Sequence, residues 1–221
     1  MRLTEALLKD KKACATSLDW FNKLFPNGLD IEWTLKHQLM LLSDLTGRAY
    51  FVWALEKGLL PLWSMSRVSL RRVDLSWADL SRFDLMAADL RGVKLVGATL
   101  VGTNLGGANL TDADLTDADC TGATIQGVTL DGACLDRANL DGANLIESSF
   151  KGASLQNTNL RDTKLCGTNF TRADLRDAWL QRTDLREADL DGANLGGAFL
   201  DGADLGKWKR GTNGFARLKE T

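Results

Sequence analysis

The chain has 221 residues, of which 44% are hydrophobic and 25% charged, and its formal net charge is −2. That balance excludes a protein that grips nucleic acid through a basic surface, and the apolar content is that of a folded chain. No run of about 18 apolar residues occurs and no apolar segment follows Met1-Arg2, so neither a membrane span nor a secretory leader is expected.

Residues 1–65 read as an α-helical module. Leu7, Cys14, Leu18, Phe21 and Phe25 recur at helical spacing, and Pro26-Asn27-Gly28 ends that helix. Asp30 is placed to cap a second helix carrying Ile31, Leu35, Leu39 and Leu42, and Ser43 a third that stops at Gly58. Leu59, Leu60, Leu62 and Trp63 then arrive where they would cover an open coil, so the module is expected to be a lid, with partner binding as the alternative. Ala13-Cys14, Trp20-Phe21 and Phe25-Pro26-Asn27-Gly28 resemble small helical segments attached to varied bacterial proteins, a resemblance that implies no function.

From residue 66 to 207 one rule governs the chain. Positions 70, 75, 80 and onward to 205 make 28 sites, 24 of them Leu and the others Cys120, Ile125, Phe150 and Phe170. Two places before each sits a compact residue, mostly Ala, Thr or Val, with Phe83 the large exception. A five-residue period gives no fixed face on a helix, and on a straight strand it would send successive Leu side chains to opposite sides. The chain therefore has to turn once per unit, and pairs such as Asp131-Gly132 and Asp141-Gly142 suit such corners.

Charge spacing sets how many sides close a coil, because residues one coil apart lie about 4.8 Å from each other. At a separation of 15 the repeat holds five opposite-sign and seven like-sign pairs; at 20 it holds eight opposite pairs and two like ones. The opposite pairs are Asp74–Lys94, Lys94–Asp114, Asp117–Arg137, Asp131–Lys151, Asp141–Arg161, Asp162–Arg182, Lys164–Asp184 and Glu187–Lys207. The like pairs are Arg71–Arg91 and Asp184–Asp204. Four sides are favoured.

Ala78-Asp79-Leu80, Ala108-Asn109-Leu110 and Ala173-Asp174-Leu175 match the Ala-(Asp/Asn)-Leu-x-x pattern, and residues 66–207 resemble the pentapeptide-repeat family. The resemblance implies an all-β solenoid, a right-handed quadrilateral parallel β-helix of about seven coils, roughly 34 Å long. Residues 208–221 remain as a short tail or cap containing Trp208 and Phe215.

No catalytic, metal or cofactor site is expected. His37 stands alone, and Cys14, Cys120, Cys134 and Cys166 share neither ligand spacing nor a twenty-residue step, so they read as reduced thiols of a cytoplasmic protein. Asp or Asn one place before Leu belongs to the repeat, so those carboxylates are not read as acids of a reaction.

Two functions remain open. The first is a rigid scaffold or adaptor for protein partners. The second, implied by the resemblance, is a DNA mimic that modulates or protects gyrase or a related topoisomerase. Residues 66–207 carry 21 acids and 15 bases, far below the charge density of a duplex. Asp112, Asp114, Asp117, Asp119, Asp131, Asp136, Asp141 and Glu147 form a denser acidic belt against Arg137 alone, read first as a solvated face, while Arg67, Arg71, Arg72, Arg82, Arg91 and Lys94 make the first coils basic. Trp179 and Phe199 replace the usual Asp or Asn before Leu180 and Leu200, twenty residues apart, with Trp208 close behind. They are the candidate interaction site for a protein partner or a second copy at the C-terminal end, with coverage by the tail through Phe215 as the alternative. Neither direct nucleic-acid binding nor a membrane partner is expected.

Overall fold

The computed structural model describes residues 65–206, together with the backbone of β1 (Trp208–Gly211) and β2 (Gly214–Arg217). The helices expected before Met65, and the lid they would form, lie outside the described residues. Met65 itself belongs to the repeat: it is 4% exposed, in the core register one unit before Leu70.

Each unit adds one short parallel bridge to the residue twenty positions on. The bridges run unbroken from Ser69↔Asp89 to Asp184↔Asp204. The chain thus returns to the same wall after four units, as the charge spacing predicts. The four walls are named here by their first core residue: the Leu70, Leu75, Leu80 and Leu85 walls.

The corner explains the five-residue grammar. Val73 N–H donates to the Leu70 carbonyl at 3.2 Å, closing a four-residue turn, and Arg72 within it has φ 57°. A turn with positive φ at its third residue favours Gly. All 28 residues in this register, from Arg67 to Gly202, take positive φ, and 15 of them are not Gly. The left-handed conformation costs a residue with a Cβ about 1–2 kcal/mol, so the fold imposes it on those side chains through its neighbours.

Within the stack, where Asp or Asn precedes the core residue, every backbone N–H of a unit has a use. Leu70 N–H donates to Asp89 O at 2.8 Å, Arg72 N–H to Arg91 O at 3.0 Å, and Asp89 N–H to Val68 O at 2.8 Å. The turn takes the fourth. The fifth, one place past the core residue, is taken by the side chain before it: Asn109 Oδ1 accepts from Thr111 N–H at 3.0 Å, and Asp79 Oδ1 from Ser81 N–H at 2.9 Å. Asp or Asn precedes Leu because a short side-chain oxygen there satisfies the one donor that turn and ladder leave over.

The interior takes two side chains per unit, the core residue and the compact one two places before it. Leu140, Leu160 and Phe170 are wholly buried, as are Ala98, Thr103 and Thr168. Inward hydroxyls are not orphaned. Thr103 Oγ1 donates to Leu80 O at 2.8 Å and Thr158 Oγ1 to Leu135 O at 2.7 Å, while Thr183 turns to Leu180 O at 2.8 Å in its own corner. Past the last coil, β1 and β2 form an antiparallel hairpin, Trp208 opposite Arg217.

Candidate interaction surface on the Leu80 wall

The outward column of the Leu80 wall reads Asp79, Thr99, Asp119, Asn139, Asn159, Trp179, Phe199. Its polar members lace together. Asn159 Nδ2 donates to Asn139 Oδ1 at 2.8 Å, and Asn139 Nδ2 to Thr121 Oγ1 at 2.8 Å. At Trp179 the column changes character. Trp179 and Phe199 are bridged partners, 38% and 48% exposed. Arg161, from the corner below, places its guanidinium carbon 4.2 Å from the Trp179 ring centroid and directs Nε to Gln181 Oε1 at 3.3 Å. This cation–π contact covers one face of the indole. The twenty-residue step pairs Arg161 with Asp141; in the structure the Trp179 ring face takes it instead. Trp208 begins β1, and its side chain lies outside the described residues.

The acidic belt does not share a wall. Asp112 and Asp131 lie on the corner after the Leu70 wall, Asp117 and Asp136 on the corner after the Leu75 wall, and Asp141 and Glu147 on the two remaining corners. Asp114 and Asp119 stand on the Leu75 and Leu80 walls. Several of these carboxylates serve the coil itself. Asp114 and Asp119 each accept Thr N–H bonds at 3.1 Å, from Thr116 and Thr121. Asp131 accepts Lys151 N–H at 3.1 Å and Asp136 accepts Gln156 N–H at 3.0 Å, doing from the coil below what Ser149 and Ser154 leave undone in their own units. Asp117 is paired with Arg137 at 2.7 Å.

Ion pairs follow two spacings. Asp117–Arg137 and Asp162–Arg182 join adjacent coils as the twenty-residue step predicts. The other spacing is local: Asp89, Asp174 and Asp184 each bind the Arg two places on, at 2.6, 2.7 and 2.7 Å. The signal was present as Asp-Leu-Arg at 89–91, 174–176 and 184–186. Both expected like-charge clashes are relieved by shared counter-ions. Arg71 and Arg91 converge on Asp89, and Arg186 reaches Asp204 at 3.6 Å as well as Asp184. Hydrogen bonds from Arg91, Arg176 and Arg186 hold Asp89, Asp174 and Asp184 below the usual carboxylate range. Ser76 and Ser81 do the same for Asp74 and Asp79.

Cys120, Cys134 and Cys166 are free. Burial pushes the Cys120 thiol up to about 12, as befits a core residue and not a nucleophile. Among the described residues no cluster of His, Cys, Asp or Glu is arranged to hold a metal, and no helix is long and apolar enough to cross a membrane. One exposed aromatic was not singled out from sequence: Trp77, 75% exposed, lies in the left-handed corner position with its ring over Gly97, where an added Cβ would come within 2.2 Å of it.

A family model described as pentapeptide repeats matches residues 69–107, 95–132, 133–172 and 168–206, in eight copies. The chain belongs to the pentapeptide-repeat family. No curated protein matches it. Among solved pentapeptide-repeat structures, HetL, involved in heterocyst differentiation regulation in the cyanobacterium Nostoc sp. strain PCC 7120, is 28% identical over 64% of this chain and 89% of its own, with a TM-score of 0.31. Rfr23, from the cyanobacterium Cyanothece 51142, is 24% identical over 62% of this chain and 86% of its own, with a TM-score of 0.34. Trypsin-treated QnrB1, a plasmid-mediated fluoroquinolone resistance protein, is 15% identical over 62% of this chain and 70% of its own, with a TM-score of 0.39. Within the pentapeptide-repeat grammar, Trp179 and Phe199 are departures: neither can give an Asx oxygen to the N–H two places on.

Proposed function

We propose that this pentapeptide-repeat protein is a non-enzymatic, cytoplasmic scaffold, a right-handed stack of about seven coils that presents a rigid wall to protein partners. The observation that carries this reading is the exposed Trp179–Phe199 pair on a column of otherwise polar residues. Two adjacent aromatics give up two corner hydrogen bonds and expose apolar surface to water, a cost that a docked protein offsets. The acidic belt supports mimicry of DNA less well, because its carboxylates face all four corners and several are engaged by their own coil.

The test uses the full chain as bait beside a variant with Trp179→Asn and Phe199→Asn. Partners captured by the parent and lost by the variant support the scaffold reading. A gyrase supercoiling assay with and without a quinolone separates the alternative: inhibition or protection that survives the double substitution and disappears when Asp112, Asp141 and Glu147 become Asn would favour the mimic instead.

A further inference from the structure

We infer that the Leu80 wall pairs with a second copy of this chain, antiparallel, through Trp179 and Phe199. This deepens the interaction-surface reading above and rests on it.

A two-fold interface places one patch against itself, so the patch must be complementary to its own reversed copy. The patch has two layers. In the lower, Trp179 lies between Arg176-Asp177 on one corner and Gln181-Arg182 on the other. In the upper, Phe199 lies between Gly196-Gly197 and Asp201-Gly202. An axis crossing the stack between these layers sets each Trp179 on the second copy's Phe199. It also sets each Arg182 opposite the second copy's Asp201, so one symmetry operation gives two aromatic contacts and two opposite-charge contacts.

The remaining corner fits the same operation. Arg176 and Asp177 meet Gly196 and Gly197, which carry no side chains to oppose them. Asp177 leans over Gly197 within its own chain, where an added Cβ would lie 2.1 Å from its Oδ1, and Arg176 is turned to Asp174, so both side chains of this corner are engaged by their own coils. Arg182 keeps its bidentate bonds to Asp162 and still has donors free on the outer side of its guanidinium. The Asp201 backbone carbonyl accepts Arg182 N–H of its own chain at 3.0 Å, but its carboxylate has no hydrogen-bond or ion-pair partner among the described residues. A parallel pairing would turn Asp201 toward bare Gly196-Gly197 and stack Trp179 on itself, so the antiparallel arrangement alone answers that carboxylate.

Two layers about 4.8 Å apart make a small interface, in the class of weak, concentration-dependent association. The reading is tested by sedimentation velocity on the full-length protein over a wide concentration series. The parent chain is expected to pass from monomer to dimer. The variant with Trp179→Asn and Phe199→Asn, which restores the repeat's own Asx bonds, is expected to stay monomeric. Asp201→Arg is expected to weaken association at least tenfold, and adding Arg182→Asp to restore it. A parent that keeps one monomeric mass throughout overturns the inference, as does an Asn variant that still dimerises. A charge-swapped chain as weak as Asp201→Arg alone overturns the antiparallel register. If the Asn variant loses its cooperative melt, Asp201→Arg decides, since the Asp201 carboxylate takes no part in the ion pairs of the stack, whereas Arg182 also holds Asp162. A monomeric parent that still loses captured partners with the Asn pair would sink the dimer and leave the scaffold standing.

Discussion

Phe170 lies on Phe150 of the preceding coil, ring centroids 5.2 Å apart and ring planes 21° from parallel. Both rings are fully buried, and both stand where the Leu70 wall otherwise places Leu, Ser-flanked or Asn-flanked in sequence. The pair therefore fills two successive layers with a single stacked unit. Phe150→Leu and Phe170→Leu should each destabilise by about 1–3 kcal/mol. The double variant should lose less than the sum, by about 0.5–1.5 kcal/mol. Denaturant titrations of the four chains measure the coupling, and strict additivity would show that the rings pack independently.

The inward assignment of every fifth residue is tested on neighbours. Leu140 is wholly buried, whereas Asp141, one place on, sits at an outer corner. Leu140→Asp should unfold the stack, because an unpaired buried charge costs several kcal/mol. Asp141→Asn should stay within about 0.5 kcal/mol of the parent. Equal melting temperatures for the two would contradict the assignment.

The corner conformation can be isolated from packing. Gly107 has φ +65° with nothing within 4 Å of an added Cβ, so Gly107→Ala meets no clash. It should nevertheless cost about 1–2 kcal/mol through φ alone. Ala87 holds φ 54° in the same register and is exposed, so Ala87→Gly should be neutral to stabilising, unlike Gly in an ordinary strand. Thermal melts of the two variants should move in different directions. Two losses of similar size would remove backbone strain as the cause.

Acid should weaken the stack in a defined direction. Asp74, Asp79, Asp89, Asp117, Asp162, Asp174 and Asp184 are all held below their ordinary value, each chiefly by a side-chain hydrogen bond. A carboxylate whose folded pKa is depressed stabilises fully above its unfolded pKa and loses that contribution as pH falls through the folded value. Melting temperature should therefore hold level above about pH 5 and fall below about pH 4. A melting temperature that rises on acidification would reverse the sign and refute the assignment.

Much of this was legible because a single period governs the chain. Leu at every fifth residue demands a coil, and Asp117–Arg137 and Asp162–Arg182 reveal its twenty-residue circumference. What stayed hidden depends on geometry inside one corner. Asp89 and Arg91 flank a Leu that points inward, and only the corner's fold brings their side chains to the same outer edge. Nor does the sequence show that Arg72 or Trp77 must adopt a left-handed backbone, since both residues ordinarily avoid it. The acidic belt is contiguous in sequence, yet consecutive corners point it in four directions. Trp179 and Phe199 were readable because they break a column that is otherwise polar.

The twenty-residue circumference also divides changes of length into two kinds. Removing a whole coil, for example residues 141–160, would shorten the stack and leave every later side chain facing the direction it faces now. Removing a single unit of five would rotate everything beyond it by a quarter turn. Trp179 and Phe199 would still lie one above the other, but on a different compass bearing from Asp79 and Asp119. Insertions and deletions in such a chain are therefore angular as well as linear, and a partner that touched both ends of the Leu80 wall would tolerate only steps of twenty.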